Sequence, residues 1–171
     1  MKNLIYILLF FTCFLQAQNN ITASIFQDAK LGIIGDKEHG YKAGTLDILV
    51  RVNMQGKQTK SGYLVIFPEF EYAKIKGDYK RYTANVGYTF NQFVTQGVEV
   101  QATAGYGWID RYSKAFFSWT FTGAIKYKIT EDIKVVLLSQ LTERKELGWL
   151  YDYTPWRLSS FIGVEVLVFN N

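Results

Sequence analysis

The sequence contains very little of several residue types on which enzymes and secreted domains depend. Of its 171 residues, one is cysteine, one is histidine and two are proline. The cysteine, Cys13, lies in an apolar stretch near the N-terminus, and cleavage after Ala17 would leave a mature chain without a thiol. We therefore expect no disulfide, no thiolate metal site and no cysteine nucleophile. We also predict no cofactor.

The first 17 residues have the three parts of an export signal. Lys2 supplies the positive charge, Leu4 to Leu15 form the apolar run, and Ala17 is the small residue before the cleavage point. The run of about 12 residues is shorter than the roughly 20 that a spanning helix needs, although an uncleaved anchor is the alternative. We predict a signal peptide over residues 1–17 and one domain over residues 18–171.

The charges are scattered along the chain and form no basic cluster. The formal net charge is +4, which is modest, and we predict no nucleic-acid partner. Hydrophobic residues make up 49% of the chain, yet the mean hydropathy is −0.02. No second apolar run of spanning length follows the N-terminal segment. This combination is typical of alternating β-strands rather than of hydrophobic helices.

Between Tyr79 and Lys128, apolar and polar residues alternate in three consecutive segments. A period of two places successive side chains on opposite faces of a β-strand. Each segment therefore has one apolar and one polar face. The apolar positions are Tyr82, Ala84, Val86, Tyr88 and Phe90 in the first segment, Val98, Val100, Ala102, Ala104, Tyr106 and Trp108 in the second, and Phe117, Trp119, Phe121, Ile125 and Tyr127 in the third.

Two features indicate that the apolar faces point outward. The polar faces are dominated by Gly, Ser, Thr and Asn, which fit a narrow interior, whereas a water-exposed face is normally rich in Lys and Glu. The apolar faces carry most of their aromatic residues toward the segment ends, as in barrels whose rings lie at two membrane interfaces. The pattern predicts a transmembrane β-barrel. A soluble lipocalin-like barrel, with its apolar face inside, is the alternative.

Five further segments complete an all-β, eight-stranded, antiparallel up-and-down barrel. They are Ile21–Ile33, Thr45–Met54, Gly62–Ile75, Ile133–Thr142 and Trp156–Phe169. An even number of strands places both ends on one side of a membrane. The segment Ile21–Ile33 also has a helical stripe, so strand and helix both remain open there. Pro68 lies within the third strand, and we expect a β-bulge because a closed barrel has no free edge for proline.

Aromatic residues fall into two belts if the N-terminus is periplasmic. Aromatic girdles mark the two membrane–water interfaces of outer-membrane barrels. The predicted girdle comprises Phe70, Tyr72, Tyr82, Tyr106, Trp108, Phe117, Trp119 and Trp156 at the extracellular strand ends, and Tyr88, Phe90 and Tyr127 at the periplasmic ends.

With its signal peptide, eight alternating strands, two girdles and polar interior, the chain resembles the small eight-stranded outer-membrane β-barrels, the class that contains OmpX and the membrane domain of OmpA. The resemblance covers the whole mature chain and is architectural, without a diagnostic motif. It implies insertion by the barrel-assembly machinery into the outer membrane of a diderm bacterium. That class commonly ends in phenylalanine, whereas here Phe169 is followed by Asn170 and Asn171. The resemblance implies no activity.

The inward positions carry nearly balanced charge, with six acids and seven bases. Buried charges are tolerated when they are paired, and an eight-stranded interior is filled by its own side chains. We predict an ion-pair network that plugs the lumen; a polar path for ions or small solutes is the alternative. The network comprises Asp47, Arg51, Glu69, Glu71, Arg81, Glu99, Lys126, Arg157 and Glu165, with Asp28, Lys30, Lys128 and Lys134 also inward.

Candidates for catalysis are few. An acyl-transfer barrel of the lipid A deacylase or palmitoyltransferase kind needs a histidine base beside a serine, and no serine lies near His39 in the sequence. Glu69 and Glu71 share a strand face about 7 Å apart, a spacing that suits acid–base chemistry or a metal. Pairing of these glutamates with Arg51 or Arg81 is the favoured interpretation. We predict no catalytic residue and no metal site.

The segment between Glu143 and Thr154 mixes charged and aromatic residues and is predicted to be an outer loop. Such a loop suits contact with a partner protein, a surface sugar or a phage, and it equally suits a belt around lipopolysaccharide headgroups. The candidate contact residues are Arg144, Lys145, Trp149, Tyr151 and Tyr153.

Together these features predict a small, non-enzymatic, integral outer-membrane barrel with a side-chain-plugged lumen. Its expected role is structural, or that of an accessory subunit in a larger outer-membrane assembly. Its expected partners are outer-membrane lipid, lipopolysaccharide and, during insertion, the barrel-assembly machinery. The alternatives are a barrel enzyme acting on lipid A or phospholipid, and a soluble periplasmic lipocalin-like carrier.

Overall fold

A computed structural model describes residues 20–36, 40–91, 96–151 and 155–170. The predicted signal peptide, His39 and Tyr153 lie outside the described residues, as does the side chain of Tyr151. Eight antiparallel strands pair in sequence order, and β8 closes on β1. The predicted fold is therefore confirmed. The strands are β1 (Asn20–Asp28), β2 (Asp47–Gln55), β3 (Gly62–Ala73), β4 (Tyr79–Phe90), β5 (Val98–Arg111), β6 (Lys114–Lys128), β7 (Ile133–Glu143) and β8 (Trp156–Asn170).

The two ends of the barrel differ, and we name them by the strands that reach them. The terminal rim is the end at which β1 begins and β8 ends, where Asn20 pairs with Asn170. The far rim is the opposite end, where β3 turns into β4 and β5 into β6. The connection from β7 to β8 at the far rim contains one short α-helix, α1 (Lys145–Tyr151).

Side chains alternate across the wall as the sequence pattern predicts. On β6, Trp119 and Phe121 are 49% and 48% exposed on the outer surface, whereas Thr120 between them is fully buried inside. The same alternation follows from the pleat of every strand, because successive side chains point to opposite faces. The apolar faces therefore point outward. Within the described ranges, no helix is both long and apolar enough to cross a membrane.

The segment Ile21–Ile33, for which the sequence allowed either a strand or a helix, contains both. β1 ends at Asp28, and a π-helical turn (Lys30–Ile34) follows it. The Asp28 carboxylate accepts a hydrogen bond from the backbone N–H of Leu31 at 2.7 Å, a local bond that competes with strand pairing. The turn ends at Gly35, whose φ of 79° suits glycine and whose N–H donates to the Lys30 carbonyl.

The bulge expected at Pro68 is absent from both ladders of β3. The register with β4 runs through it without a shift, with Pro68 opposite Ala84. On the other side, Arg51 pairs with Glu69 and Met54 with Ile66, and no pairing is formed between these two pairs. The wall thus accommodates the missing proline N–H by opening the β2–β3 ladder locally rather than by inserting a residue.

The interior is less polar than predicted. An apolar cluster fills part of the lumen, and its members are nearly fully buried: Phe26, Leu49, Ala124, Val136, Leu138 and Phe161. The same residue types also occur on the outward faces of these strands. The sequence of a single strand therefore does not show that these side chains point inward. Dispersion and burial, as well as ion pairing, therefore fill this barrel.

Candidate functional site

The middle of the lumen is occupied by a four-residue charge network. Arg51 on β2 contacts Glu69 on β3 at 2.5 Å. Arg81 on β4 contacts both Glu69, at 2.7 Å, and Glu71, at 2.6 Å. Two cations and two carboxylates leave the group neutral, and all four side chains are at most 6% exposed. Their pairing removes the large penalty of burying an isolated charge.

Neutral side chains and rings complete this central network. Gln140 on β7 accepts a hydrogen bond from Arg81 at 2.5 Å and donates one to Glu69 at 3.0 Å, which bridges the lumen. The Arg51 guanidinium lies 5.2 Å from the ring centroid of Phe26 and 4.7 Å from that of Phe67. These cation–π contacts join the charge network to the apolar cluster.

A second charge group lies toward the terminal rim. Lys126 contacts Glu165 at 2.8 Å, and both side chains are 2% exposed. Lys134 contacts Glu99 at 2.8 Å and lies 3.9 Å from Glu165. The Tyr63 hydroxyl donates to Glu99 at 3.0 Å. A polar cavity of about 230 Å³ adjoins this group and includes Tyr63, Glu99, Lys134 and Glu165 in its lining.

Asp47 and Arg157, the two other predicted network residues, lie toward the far rim. Asp47 is 6% exposed and faces inward, and none of the ion pairs among the described residues includes it. Arg157 contacts Asp36 at 3.6 Å, and Lys30 contacts the same aspartate at 3.2 Å. The structure therefore divides the predicted set into a central network and a group toward the terminal rim. Asp47 and Arg157 lie toward the far rim, separate from both.

Arg144 does not fit the exposed outer loop that the sequence predicted. It is 6% exposed, its guanidinium lies 4.1 Å from the Tyr79 ring centroid, and it pairs with the fully buried Glu146. Burial alone would lower the pKa of Arg144, but Tyr79 and Glu146 raise the pKa above its ordinary value, so the guanidinium stays charged. The difference arises because Arg144, which follows β7, packs against Tyr79 at the start of β4 and pairs with Glu146 at the start of α1.

The remaining loop candidates are more exposed. Lys145 is half-exposed and lies 3.4 Å from Glu143. Trp149 is 51% exposed, packs against Phe116 at 5.9 Å between ring centroids, and has the ammonium of Lys114 3.9 Å above its ring. Only Lys145 and Trp149 of the five predicted contact residues are thus described with accessible side chains.

Rings of the predicted girdle pack against each other across neighbouring strands near the far rim. The centroid distances are 5.0 Å for Phe70–Tyr82, 5.4 Å for Tyr82–Trp108 and 4.6 Å for Tyr106–Trp119. Phe117 stacks on Tyr106, and Trp156 lies beside Phe121. Tyr72, at the far-rim end of β3, is half-buried. Toward the terminal rim, Tyr88 packs on Phe90 at 4.9 Å and Tyr127 is 55% exposed.

The predicted candidates for metal binding or acid–base chemistry lie only partly within the described residues. No group of three or more His, Cys, Asp or Glu residues among the residues described could hold a metal ion. Glu69 and Glu71 are both engaged by Arg81 rather than facing a shared open site. His39, the candidate base, is outside the described residues.

A closed eight-stranded barrel with apolar residues outside and paired charges inside is the fold of the small outer-membrane β-barrels. The structure of the Yersinia pestis outer membrane protein Ail in a phospholipid bilayer nanodisc is similar to this chain, with a TM-score of 0.55, 13% sequence identity, and coverage of 88% of this chain and 100% of Ail. The crystal structure of Neisserial surface protein A covers 86% of this chain and 96% of its own, at 10% identity and a TM-score of 0.46. No protein-family model and no curated protein matches the sequence.

Proposed function

We propose that this protein is a small integral outer-membrane barrel with a plugged lumen and no enzymatic activity. It serves a structural role or is an accessory subunit of a larger envelope assembly. The observation that carries the proposal is the inversion of polarity. Large apolar side chains cover the outer wall, whereas Arg51, Arg81 and Lys126 are at most 2% exposed inside it. Such an arrangement is stable where the surroundings are lipid.

In the proposed orientation the terminal rim faces the periplasm and the far rim faces outward. The packed rings of Phe70, Tyr82 and Trp108 then lie at the outer interface, where amphipathic rings are favoured. Tyr88 and Phe90 lie toward the inner interface. Protease treatment of intact cells tests this orientation, because cleavage should be confined to connections at the far rim.

A carrier of apolar ligands would need an apolar cavity inside the barrel. The cavity that adjoins the lumen is polar, and the apolar cluster around Leu49 and Phe161 is packed. We therefore favour a membrane barrel over a soluble carrier. A carrier should stay soluble and monomeric without detergent, whereas the proposed barrel should require detergent and should show heat-modifiable migration on a gel.

Four measurements test the proposed role. Membrane fractionation should recover the protein with the outer membrane. Planar bilayers containing the purified barrel should show no sustained conductance, because the central network and the apolar cluster fill the lumen. Lipid A and phospholipids should be unchanged in a deletion strain and in a His39→Ala strain; altered lipid in both would establish the enzyme instead. Pull-down from solubilised outer membrane identifies the assembly, if the protein is an accessory subunit.

A further inference from the structure

The outer wall of β2 to β5 contains a groove in its apolar surface. Its volume is about 450 Å³, which falls within the roughly 300–1,000 Å³ typical of small-ligand sites. The floor is formed by Pro68 and Ala84, two small side chains that lie directly opposite each other on β3 and β4. Both are exposed on the outer face. The groove is therefore a depression in the part of the surface that would touch lipid.

Larger side chains form the walls of this groove. Val52 lies on the β2 side and Tyr106 on the β5 side. Toward the far rim, Phe70 packs on Tyr82 and Tyr82 stacks on Trp108, so these three rings form one continuous wall. Because the rings support each other, the groove exists without a ligand to open it.

The groove depends on the local interruption of the wall at Pro68. The β2–β3 ladder is open between the Arg51–Glu69 and Met54–Ile66 pairs, at the position of the proline. Neighbouring outward positions carry bulky residues, such as Val86 below Ala84 on β4. The groove is thus a narrow apolar slot bounded by larger side chains on β2, β4 and β5.

Cations lie above this slot at the far rim. Lys80 occupies the same outer face of β4 as Tyr82 and Ala84, which places it about 14 Å along the strand from the groove floor. Lys74 and Lys76 lie in the connection between β3 and β4, and all three lysines are exposed. None of the three takes part in an ion pair among the residues that the structure describes, although Asp110 is the register partner of Lys80.

An apolar slot beneath unpaired lysines, with aromatic rings between them, matches an amphiphile that has an acyl chain and an anionic headgroup. We propose that the groove binds one acyl chain of lipid A, with a lipid A phosphate held at Lys80 and Lys74. This inference rests on the proposed outer-membrane function, because it takes the outer leaflet to be the one beside the far rim. The lysine ammonium groups supply the charge that attracts the phosphate.

The test uses the purified full chain in phosphatidylcholine nanodiscs that contain lipid A or, in a separate preparation, phosphatidylglycerol. Native mass spectrometry of the ejected barrel measures the lipid that stays bound. Wild type should retain lipid A in preference to phosphatidylglycerol. Ala84→Leu fills the groove and should lose that preference, whereas Ala102→Leu adds the same atoms to the outer face of β5 outside the groove and should keep it.

The headgroup contact has its own pair of variants. Lys80→Gln should weaken lipid A retention about fivefold, the attraction expected from one lysine at an anionic lipid surface. Lys42→Gln removes another exposed lysine elsewhere on the far rim and should have no such effect. Equal loss in both would mean that the contribution is general surface charge, which would contradict a phosphate site at Lys80.

Other outcomes overturn the inference in distinct ways. Equal retention of phosphatidylglycerol would assign the groove to anionic lipids in general. A protein that co-purifies with wild type and is lost with Ala84→Leu would make the groove a subunit interface. Unchanged retention with Ala84→Leu would remove the groove from lipid binding. Insertion into phosphatidylcholine discs and heat-modifiable migration test the barrel separately from the groove. Failure of wild type to insert would refute the proposed function. Normal insertion together with any of the outcomes above would refute only lipid A binding in the groove.

Discussion

Substitution of Arg81 by methionine is the sharpest test of the plugged lumen. Arg81 is fully buried and engages Glu69 at 2.7 Å, Glu71 at 2.6 Å and Gln140 at 2.5 Å. Glu69 retains Arg51 after the substitution, but Glu71 has no other ion pair among the described residues. The network changes from neutral to a net charge of −1 inside a low-dielectric interior. We expect Arg81→Met to lower the free energy of unfolding by about 3–5 kcal/mol.

A paired variant separates an unpaired charge from lost packing. Arg81→Met combined with Glu71→Leu removes both charges and leaves the Arg51–Glu69 pair in place. Because replacing both members of a buried pair by apolar residues is often neutral, the double variant should be more stable than Arg81→Met alone. The measurement is urea unfolding of the barrel in phospholipid vesicles, followed by tryptophan fluorescence and gel mobility. Lys145→Met, on the exposed side of α1, is the control and should stay within about 0.5 kcal/mol of wild type.

Equal stability of Arg81→Met and wild type would mean that the charge network is not a buried, paired group. A second contradicting result is a double variant whose loss of stability equals the sum of the losses in Arg81→Met and Glu71→Leu. That additivity would mean that Arg81 and Glu71 do not act on each other.

Three further predictions use the same unfolding measurement. Lys126→Met leaves Glu165 without its 2.8 Å partner and should cost about 3–5 kcal/mol, less if Lys134 moves closer from 3.9 Å. Leu49→Ala opens a cavity in the apolar cluster and should cost about 2–5 kcal/mol, with no change if the lumen is loosely filled. Gly107→Ala places a Cβ 1.9 Å from the Tyr82 carbonyl oxygen and should cost about 1–3 kcal/mol. Gly123→Ala is the control, because its Cβ meets no atom within 4 Å and the substitution should be tolerated. Equal effects of the two substitutions would show that the backbone of the wall adjusts freely.

Much of the fold could be predicted because its two faces differ in residue type. Strict alternation in β4, β5 and β6 indicates which side chains of each strand point inward and which point outward. Eight such segments are enough to close a barrel. The inward positions of Glu69 and Arg81 followed from the same period. Their pairing across strands followed from the requirement that buried charges be compensated.

Other features depend on contacts between residues distant in sequence, so local pattern could not predict them. Phe26 and Phe161 point inward although phenylalanine also suits the outer face, and their mutual burial appears only once β1 meets β8. Arg144 was expected in an exposed loop because its sequence neighbours are charged and aromatic. Its actual position depends on Tyr79, on a different strand. The sequence did not predict that Glu146 is buried. Its position two residues after the cation Arg144 was the available signal, and that spacing alone does not indicate burial.

The central network also explains why the strands adopt one register. Arg51 and Glu69 are direct register partners on β2 and β3, and Glu71 and Arg81 are direct partners on β3 and β4. A slip of one residue between either pair of strands would turn an entire set of charges onto the apolar outer face. A slip of two would keep the faces correct but would end one of these direct pairings. Alternation therefore excludes odd slips, and the direct Arg51–Glu69 and Glu71–Arg81 pairs favour this register over those that differ by two residues.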